Sequence, residues 1–461
     1  MTSSRLIARY AIEHADHFEV ITRYADTTET LHLPKEAPIL PSLAAEHPAA
    51  IWFERKMQDD FSLRLEGTWD TRPLVQQEHF PHNTHPLLTS FDATQSLTPI
   101  SAHPYPYETV DGDGVFEVPV GPIHAGIIEP GHFQFSQAGE RILHLEVRHF
   151  YKHRGIEKML EGTGPLHAWP IVERISGTES LAYQIAWRDI LLQATRTELP
   201  ESLRRYHSLL LEMERIVHHL TDLGFIPNDA GFGAALAIAS RLAEDARRQL
   251  KTLTGHRFGF GAVRQDIPTA YDPQQLLAWV KQLEQELQTF SDWILDVPSL
   301  WDRFDTTGIL SRDDALTYDA IGVVARASGL PLDRRDTPWY RELGWECITE
   351  TGGDVAARFL VRLREVAQSL TLVRHLAEEA VPVSTRLDTI KDGRYEAFVE
   401  SPLGELYLTA DLKGGRIKRF FVRDPSFVNW QVLQRMMPGN IIADFPLINK
   451  SCDLSYAGND L

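Results

Sequence analysis

The sequence is poor in cysteine: Cys347 and Cys452 are the only two among 461 residues. Two isolated cysteines build no disulfide framework. Neither has a second thiol within metal-ligand spacing, so the chain alone cannot hold a four-cysteine iron–sulfur cluster. Both read as small buried hydrophobes. Positive charge is also scarce, with 46 Lys and Arg against 64 Asp and Glu and a net charge of −18. That balance argues against broad nucleic-acid binding, which needs cations to displace counterions from phosphate. No apolar run approaches the roughly 18–20 residues of a membrane span. The opening "MTSSRLIARYAIEHADHF" lacks the apolar core and cleavage site of a secretory signal, so the reading is a cytoplasmic protein. There is no G-x-x-x-x-G-K-S/T, and "GFGAALAIAS" (231–240) departs from a dinucleotide fingerprint.

What is present has three regions, within a length that suggests two to four domains. In residues 1–100, "HFEVITRYA" (17–25) has the β-branched and aromatic content of a strand. Residues 79–114 are rich in Pro, Asn, His and Gly and read as a linker or extended wrapping arm. His79, His82, His85 and His103 fall there and read as solvated loop residues.

From about 115 to 380 the pattern is mostly helical. In "SLLLEMERIVHHLTDLG" (208–224) apolar residues recur at helical spacing and predict one buried face, with Gly224 as the stop. Residues 274–295 and 354–380 repeat the pattern, which suggests a bundle. From about 393 to 461 the chain turns β-like, with short strands separated by Pro-Leu-Gly and Lys-Gly-Gly turns. The fold class is α+β: a small N-terminal α/β domain (1–100) and then a large, mainly helical bundle domain with peripheral β-strands (115–461).

The stretch "VERISGTESLAYQIA" (172–186) has the form of a metal-binding turn without its ligands. With "VGPIHAGIIEPGHFQF" (120–135), "FYKHRGIEKMLEG" (150–162), "LEMERIVHHLTDLGFIPNDAGF" (211–232), "GDVAARFLVRLREVAQS" (353–369) and "IADFPLINKSCDLSYAGND", it resembles, in the same order, the large subunit of nickel–iron hydrogenases. The energy-converting group and the quinone-site subunit of respiratory complex I are the most similar. Residues 54–87, "ERKMQDDFSLRLEGTWDTRPLVQQEHFPHNTHPL", are similar to the signature of the small complex I accessory subunit, which some bacteria fuse to the large one.

In the hydrogenases, two C-x-x-C pairs hold nickel and bridge to iron, and thiolate is the ligand such metals select. The matching positions here are Ser176, Glu179, Ser455 and Gly458. The resemblance thus implies no nickel–iron centre and no metal ligands in this chain. Cys452 lies outside that register, which Asp453 fixes.

The alternative use of the cavity is the complex I one, in which a quinone headgroup binds. His124 matches the family histidine, and Asp229 matches the acid that hydrogen-bonds it. Such a pair makes a proton donor near neutral pH. His124 also reads as a relic held in a loop, and Asp229 as an ordinary turn residue. Gly177 stands where complex I has a headgroup-binding tyrosine. Arg154 matches an arginine that faces the iron–sulfur cluster of a neighbouring small subunit, a position from which a cation raises the cluster potential. A surface ion pair with Glu157 is the plainer reading of it. Glu129 matches a proton-path acid.

The resemblance therefore implies an oxidoreductase subunit, similar to NADH-quinone oxidoreductase, peripheral on the cytoplasmic face of the inner membrane. Its implied partners are an iron–sulfur small subunit, a ferredoxin-like subunit and antiporter-like membrane subunits. Its implied acceptor is a quinone or another small redox partner, with coupled proton translocation. The alternative is a structural or conformational coupling subunit of such a complex, without chemistry of its own.

Overall fold

The computed structural model describes residues 4–124, 128–265, 271–380 and 387–461. Residues 125–127 of the motif expected at 120–135 lie outside these.

The chain opens with an antiparallel sheet, β1 (Leu6–Glu13), β2 (His17–Tyr24) and β3 (Thr28–Pro34), in that order. β1 is buried almost throughout, whereas β3 buries only Leu33. Thr and Glu residues on β3 thus form a polar edge that discourages further pairing. A short parallel pair follows, β4 (Ile39–Pro41) with β5 (Arg64–Glu66), and helix α1 (Ala50–Phe61) lies between them in sequence. From residue 67 to 114 there is neither strand nor helix. This arm is tied down by side chains: Asp59 Oδ2 accepts from the amides of Leu74, Val75 and Gln76 at 2.8, 2.8 and 3.2 Å, and Gln77 donates to the His149 carbonyl.

Residues 115–148, expected to be mostly helical, form a second antiparallel sheet instead: β6 (Val115–Val120), β7 (His132–Ala138) and β8 (Arg141–Arg148). The reason is a period of two. Phe133 and Phe135 point inward on β7, and Gly139 turns the chain with φ +59°. Short helices α2 (Ile156–Leu160) and α3 (Trp169–Val172) lead into α4 (Ser180–Thr195), α5 (Glu201–Asp229), α6 (Gly233–Thr254), α7 (Ala262–Gln265), α8 (Pro273–Leu295), α9 (Pro298–Phe304), α10 (Arg312–Thr317), α11 (Gly322–Ala327), α12 (Pro338–Glu342) and α13 (Val355–Ala377).

Two expectations for α5 need correction. Gly224 does not stop the helix, which continues to Asp229. A Cβ at 224 would lie 3.1 Å from Ala239 Cβ and 3.2 Å from Leu236 Cα on α6, so this glycine serves close packing of two helices. Nor is only one face buried. Leu209, Leu210, Met213, Ile216, Leu220 and Leu223 are buried as the spacing predicts, but so are Glu212, Glu214, Arg215, His218, His219 and Asp222. Two of the polar side chains find partners on α13: Arg362 Nε donates to Asp222 at 2.7 Å, and His219 lies 2.9 Å from Glu365.

The third sheet runs β11 (Arg416–Arg423), β10 (Glu405–Lys413), β9 (Gly393–Glu400). Its β10–β11 turn is Gly414-Gly415 with φ of +59° and +71°, as a two-residue hairpin turn requires. Beyond Arg423 the expected β-like character ends. Asp424 accepts from Ser426 N and Pro425 follows it, a cap that starts helix α14 (Pro425–Met436). Helices α15 (Phe445–Cys452) and α16 (Tyr456–Asp460) complete the fold. Among the described residues no helix is long and apolar enough to cross a membrane.

The N-terminal module is docked on this third sheet. Tyr10 stacks on Phe421 with ring centroids 4.5 Å apart. Arg419 and Arg423 donate to the carbonyls of Ala11 and Ile7, each at 3.1 Å. Lys56 on α1 pairs with Glu157 on α2 at 2.8 Å.

Candidate functional site

Two turns meet at the centre of the large domain. The first, Gly177–Glu179, is a single 3-10 turn between α3 and α4. Because α4 has no capping side chain of its own, Glu214 reaches across from α5 and accepts from Leu181 N and Ala182 N at 2.7 and 3.1 Å. The second turn begins at Asp453, which has φ +49° and ends α15. Ser455 then caps α16 by accepting from Gly458 N at 2.9 Å.

The four positions expected to converge do so. Ser176 Oγ is 3.2 Å from Ser455 Oγ and donates to Glu179 Oε2 at 3.0 Å. Ser401, from the turn after β9, donates to Glu179 Oε1 at 2.5 Å. Glu179 is fully buried, and its carboxyl is pushed up to about 8, chiefly by burial and further by the Asp424 carboxylate, against the Ser401 hydrogen bond and the His218 charge. At neutral pH it is thus an uncharged acid able to donate a proton.

Gly458, the fourth position, leaves a gap that another residue fills. A Cβ there would lie 2.1 Å from Asp424 Oδ2. Asp424 is itself buried, accepts from Tyr183 OH at 2.6 Å and from Ser426 N at 2.8 Å, and is raised by burial. Neither Asp424, Tyr183 nor Ser401 was marked by the sequence. "RDPS" carries only a helix-cap signal, and Tyr183 has the look of ordinary core. Cys452 contributes no thiol to this group, since its sulfur packs 3.6 Å from Met436 Sδ.

The donors at the four positions are two hydroxyls, one carboxylic acid and no side chain. They do not fit a nickel–iron pair, which selects thiolates.

Arg154 ties the two turns together. Its guanidinium donates to Arg174 O at 3.0 Å, Ile175 O at 2.8 Å and Ala457 O at 2.7 Å, carbonyls from both turns. The surface pair with Glu157 is not formed, because Glu157 is buried and faces Lys56 and Arg419. Glu129 joins the same region by accepting from Ala457 N at 3.1 Å and pairing with Lys152.

The structure does not bring His124 and Asp229 together by a hydrogen bond. His124 Nε2 lies 2.7 Å from the Gly131 carbonyl and is half-buried. Asp229, the last residue of α5, accepts from the Asn228 amide at 3.4 Å and is raised by burial, against the pull of Lys450. Gly177 is exposed and has nothing within 4 Å of where a Cβ would stand. A cleft of about 370 Å³ at the seam with the N-terminal module, lined by Arg5, Asp319, Arg334, Glu400 and Glu405 among others, includes none of these positions.

The geometry can be set beside known proteins. Residues 229–390 and 381–460 match the family model of the respiratory-chain NADH dehydrogenase 49 Kd subunit, and residues 4–96 that of the 30 Kd subunit. The chain is 30% identical to formate hydrogenlyase subunit 5 of Escherichia coli over 472 residues, which covers 99% of this chain and 83% of that one. It is 30% identical to hydrogenase-4 component G of the same organism, covering 91% and 75%. It is 26% identical to an NADH-quinone oxidoreductase subunit of Phocaeicola vulgatus, covering 86% and 81%. Among solved structures, a chain of the membrane-bound sulfane sulfur reductase, an archaeal respiratory membrane complex, shares the fold. Its TM-score is 0.70 at 24% identity, over 76% of this chain and 99% of that one.

Proposed function

The chain belongs to the family of the respiratory-chain NADH dehydrogenase 49 Kd subunit, and from that premise we propose that it is the nickel-free large subunit of a membrane-associated oxidoreductase complex related to complex I. Its relatives are subunits of hydrogenase and NADH-quinone oxidoreductase assemblies. In our reading the subunit sits in a peripheral arm at the cytoplasmic membrane face. It docks an iron–sulfur small subunit and a ferredoxin-like subunit, and it works with antiporter-like membrane subunits. Arg154 faces the partner's cluster, and a small organic acceptor of the quinone class binds at the exposed turn beside Gly177.

The observation that carries this reading is the convergence of Ser176, Glu179 and Ser455 into a hydroxyl–carboxyl network that holds a neutral acid. Reducing a quinone to a quinol consumes two electrons and two protons. Glu179 is suited to supply one proton, and His124 the other. Electrons would come from the partner's cluster, and proton uptake would be the event coupled to ion movement.

One observation favours the second reading, a conformational coupler. Asp424 fills the space at Gly458, which closes the interior from that side. Acceptor reduction by the purified complex separates the two. His124→Ala abolishes it if the subunit is catalytic. Unchanged turnover in an intact complex carrying that substitution would leave the coupler, and stoichiometric nickel on elemental analysis would overturn both.

A further inference from the structure

The Glu179 carboxyl is 0% exposed, so it meets neither solvent nor an acceptor directly. Any proton it gives or takes passes through the groups bonded to it. Serines hold both of its oxygens. Ser401 Oγ is 2.5 Å from Oε1, and Ser176 Oγ is 3.0 Å from Oε2. An ionised carboxylate accepts from both. A protonated one carries an O–H and has to donate from one oxygen, so the serine on that side turns its own hydroxyl proton elsewhere.

Each serine has a second acceptor for that purpose, and the two acceptors differ in kind. Ser401 is itself 0% exposed, and its alternative among the described residues is the Gly404 carbonyl at 3.0 Å. A backbone carbonyl takes the hydrogen bond but has no proton to pass on, so this side is a dead end. Ser176 has the Ser455 hydroxyl at 3.2 Å, and either oxygen can be the donor in that contact. A hydroxyl both accepts and donates, so this side continues. Ser176 is 1% exposed, whereas Ser455, at the start of α16, is half-buried. Ser455 is held in place by its neighbours: Oγ accepts from Gly458 N at 2.9 Å, and its own N donates to Ser426 Oγ at 2.8 Å. Glu179, Ser176 and Ser455 thus form an unbroken run of hydrogen bonds from a closed interior to a residue that touches solvent.

We propose that Ser176 and Ser455 are a two-hydroxyl proton wire connecting Glu179 to the solvent side of the site. The inference rests on the proposed function, in which the Glu179 proton reaches the acceptor, and it makes Ser455 the group that hands the proton over. In the outward passage the Glu179 Oε2–H bond breaks and an O–H bond forms on Ser176 Oγ. Ser176 releases its own proton to Ser455 Oγ, and Ser455 releases its own to the acceptor or to water. One proton crosses, no electron moves, and both hydroxyls are restored. The inward passage from water runs through the same atoms in reverse and recharges Glu179. Ser401 stays out of the transfer and holds the carboxyl in line.

The test needs no acceptor, so its failure is separate from failure of the quinone reading. Infrared spectroscopy of the full-length chain at neutral pH resolves the carbonyl stretch of protonated Glu179, assigned by its loss in Glu179→Gln. After transfer into heavy water the band shifts as the proton exchanges. Ser176→Ala and Ser455→Ala each slow that exchange about a hundredfold or more, the lower end of what a positioned proton-transfer group contributes. Ser455→Thr keeps a hydroxyl and a helix cap and restores most of the parent rate. The two variants at 455 decide the matter if Ser176→Ala does not fold. Ser401→Ala removes a hydrogen bond to the same carboxyl but leaves the wire, so it moves the band and slows exchange far less. Exchange at the parent rate in Ser455→Ala, or equal slowing by Ser401→Ala, overturns the proposal.

Discussion

The carboxylate of Asp424 stands where a side chain at residue 458 would have to go, with 2.1 Å between its Oδ2 and the site of a Cβ. Both residues are buried, and Tyr183 and Ser426 hold the carboxylate in place, so it cannot simply swing away. Gly458→Ala should therefore destabilise the chain by about 1–3 kcal/mol, the range for overpacked cores. Asp424→Ala costs stability alone by orphaning the Tyr183 hydroxyl. The double variant should be more stable than the sum of the two single changes implies. Urea unfolding of all three measures that coupling, and strict additivity would show that the two sites do not compete for space.

Arg154 makes a second, separate prediction. One guanidinium satisfies carbonyls at 174, 175 and 457. Arg154→Ala removes all three contacts and should cost about 2–3 kcal/mol, in the range for hydrogen bonds from a charged donor. Arg154→Lys should recover only part, because an ammonium lacks the planar fork that spans two turns. Equal stability of the Lys variant and the parent would contradict this geometry.

Glu179 sets a pH dependence. Its carboxyl is raised from the ordinary 4.5 to about 8 in the folded chain. Between those values the folded state keeps a proton that the unfolded state has lost, so stability falls as pH rises through that window and levels off above it. Glu214, raised to about 8 by burial, contributes with the same sign. Asp453 is lowered, chiefly by Lys450 against its burial, and acts in the opposite direction at acid pH. Glu179→Gln should flatten the neutral-to-alkaline slope without removing it. Denaturation midpoints at about pH 5.5 and about pH 7.5 in parent and variant test this; identical slopes would mean that Glu179 is ionised at neutral pH.

Gly177 offers a gain-of-function test. Nothing lies within 4 Å of where its Cβ would stand. Gly177→Tyr should leave folding stability within about 0.5 kcal/mol, as surface substitutions do. On the proposed function it should also tighten quinone binding by supplying a phenolic hydroxyl at this turn. Titration with a soluble quinone analogue reads the second effect, and a destabilised fold would show that the space beside residue 177 is not free.

Much of the helical framework was legible because period alone sets it. α8 and α13 fall where apolar residues recur every three to four positions. The buried charges of α5 were not legible, because Glu212, His218 and Asp222 resemble a solvated stripe until α13 and the 453 turn are placed against them. The convergence of the 176–179 and 455–458 turns was carried by motif order. The residues that complete the site come from segments whose local signals say something else: Asp424 from a helix cap, Ser401 from a hairpin entry, Tyr183 from a helix core. Local pattern reports local structure, and contacts across 241 positions, as between Tyr183 and Asp424, leave no mark on it.

The seam between the two modules has a consequence for how such a protein is made. Arg419 and Arg423 send their guanidinium groups out of the large domain's sheet into carbonyls of the first strand, and Lys56 does the reverse toward Glu157. Separating the halves would take Lys56 from Glu157, and Arg419 and Arg423 from the carbonyls of Ala11 and Ile7, and so remove three polar contacts across the seam, each worth about 1–3 kcal/mol. The fusion is therefore docked as well as tethered, and every copy of the large domain arrives at assembly with its accessory module already in place.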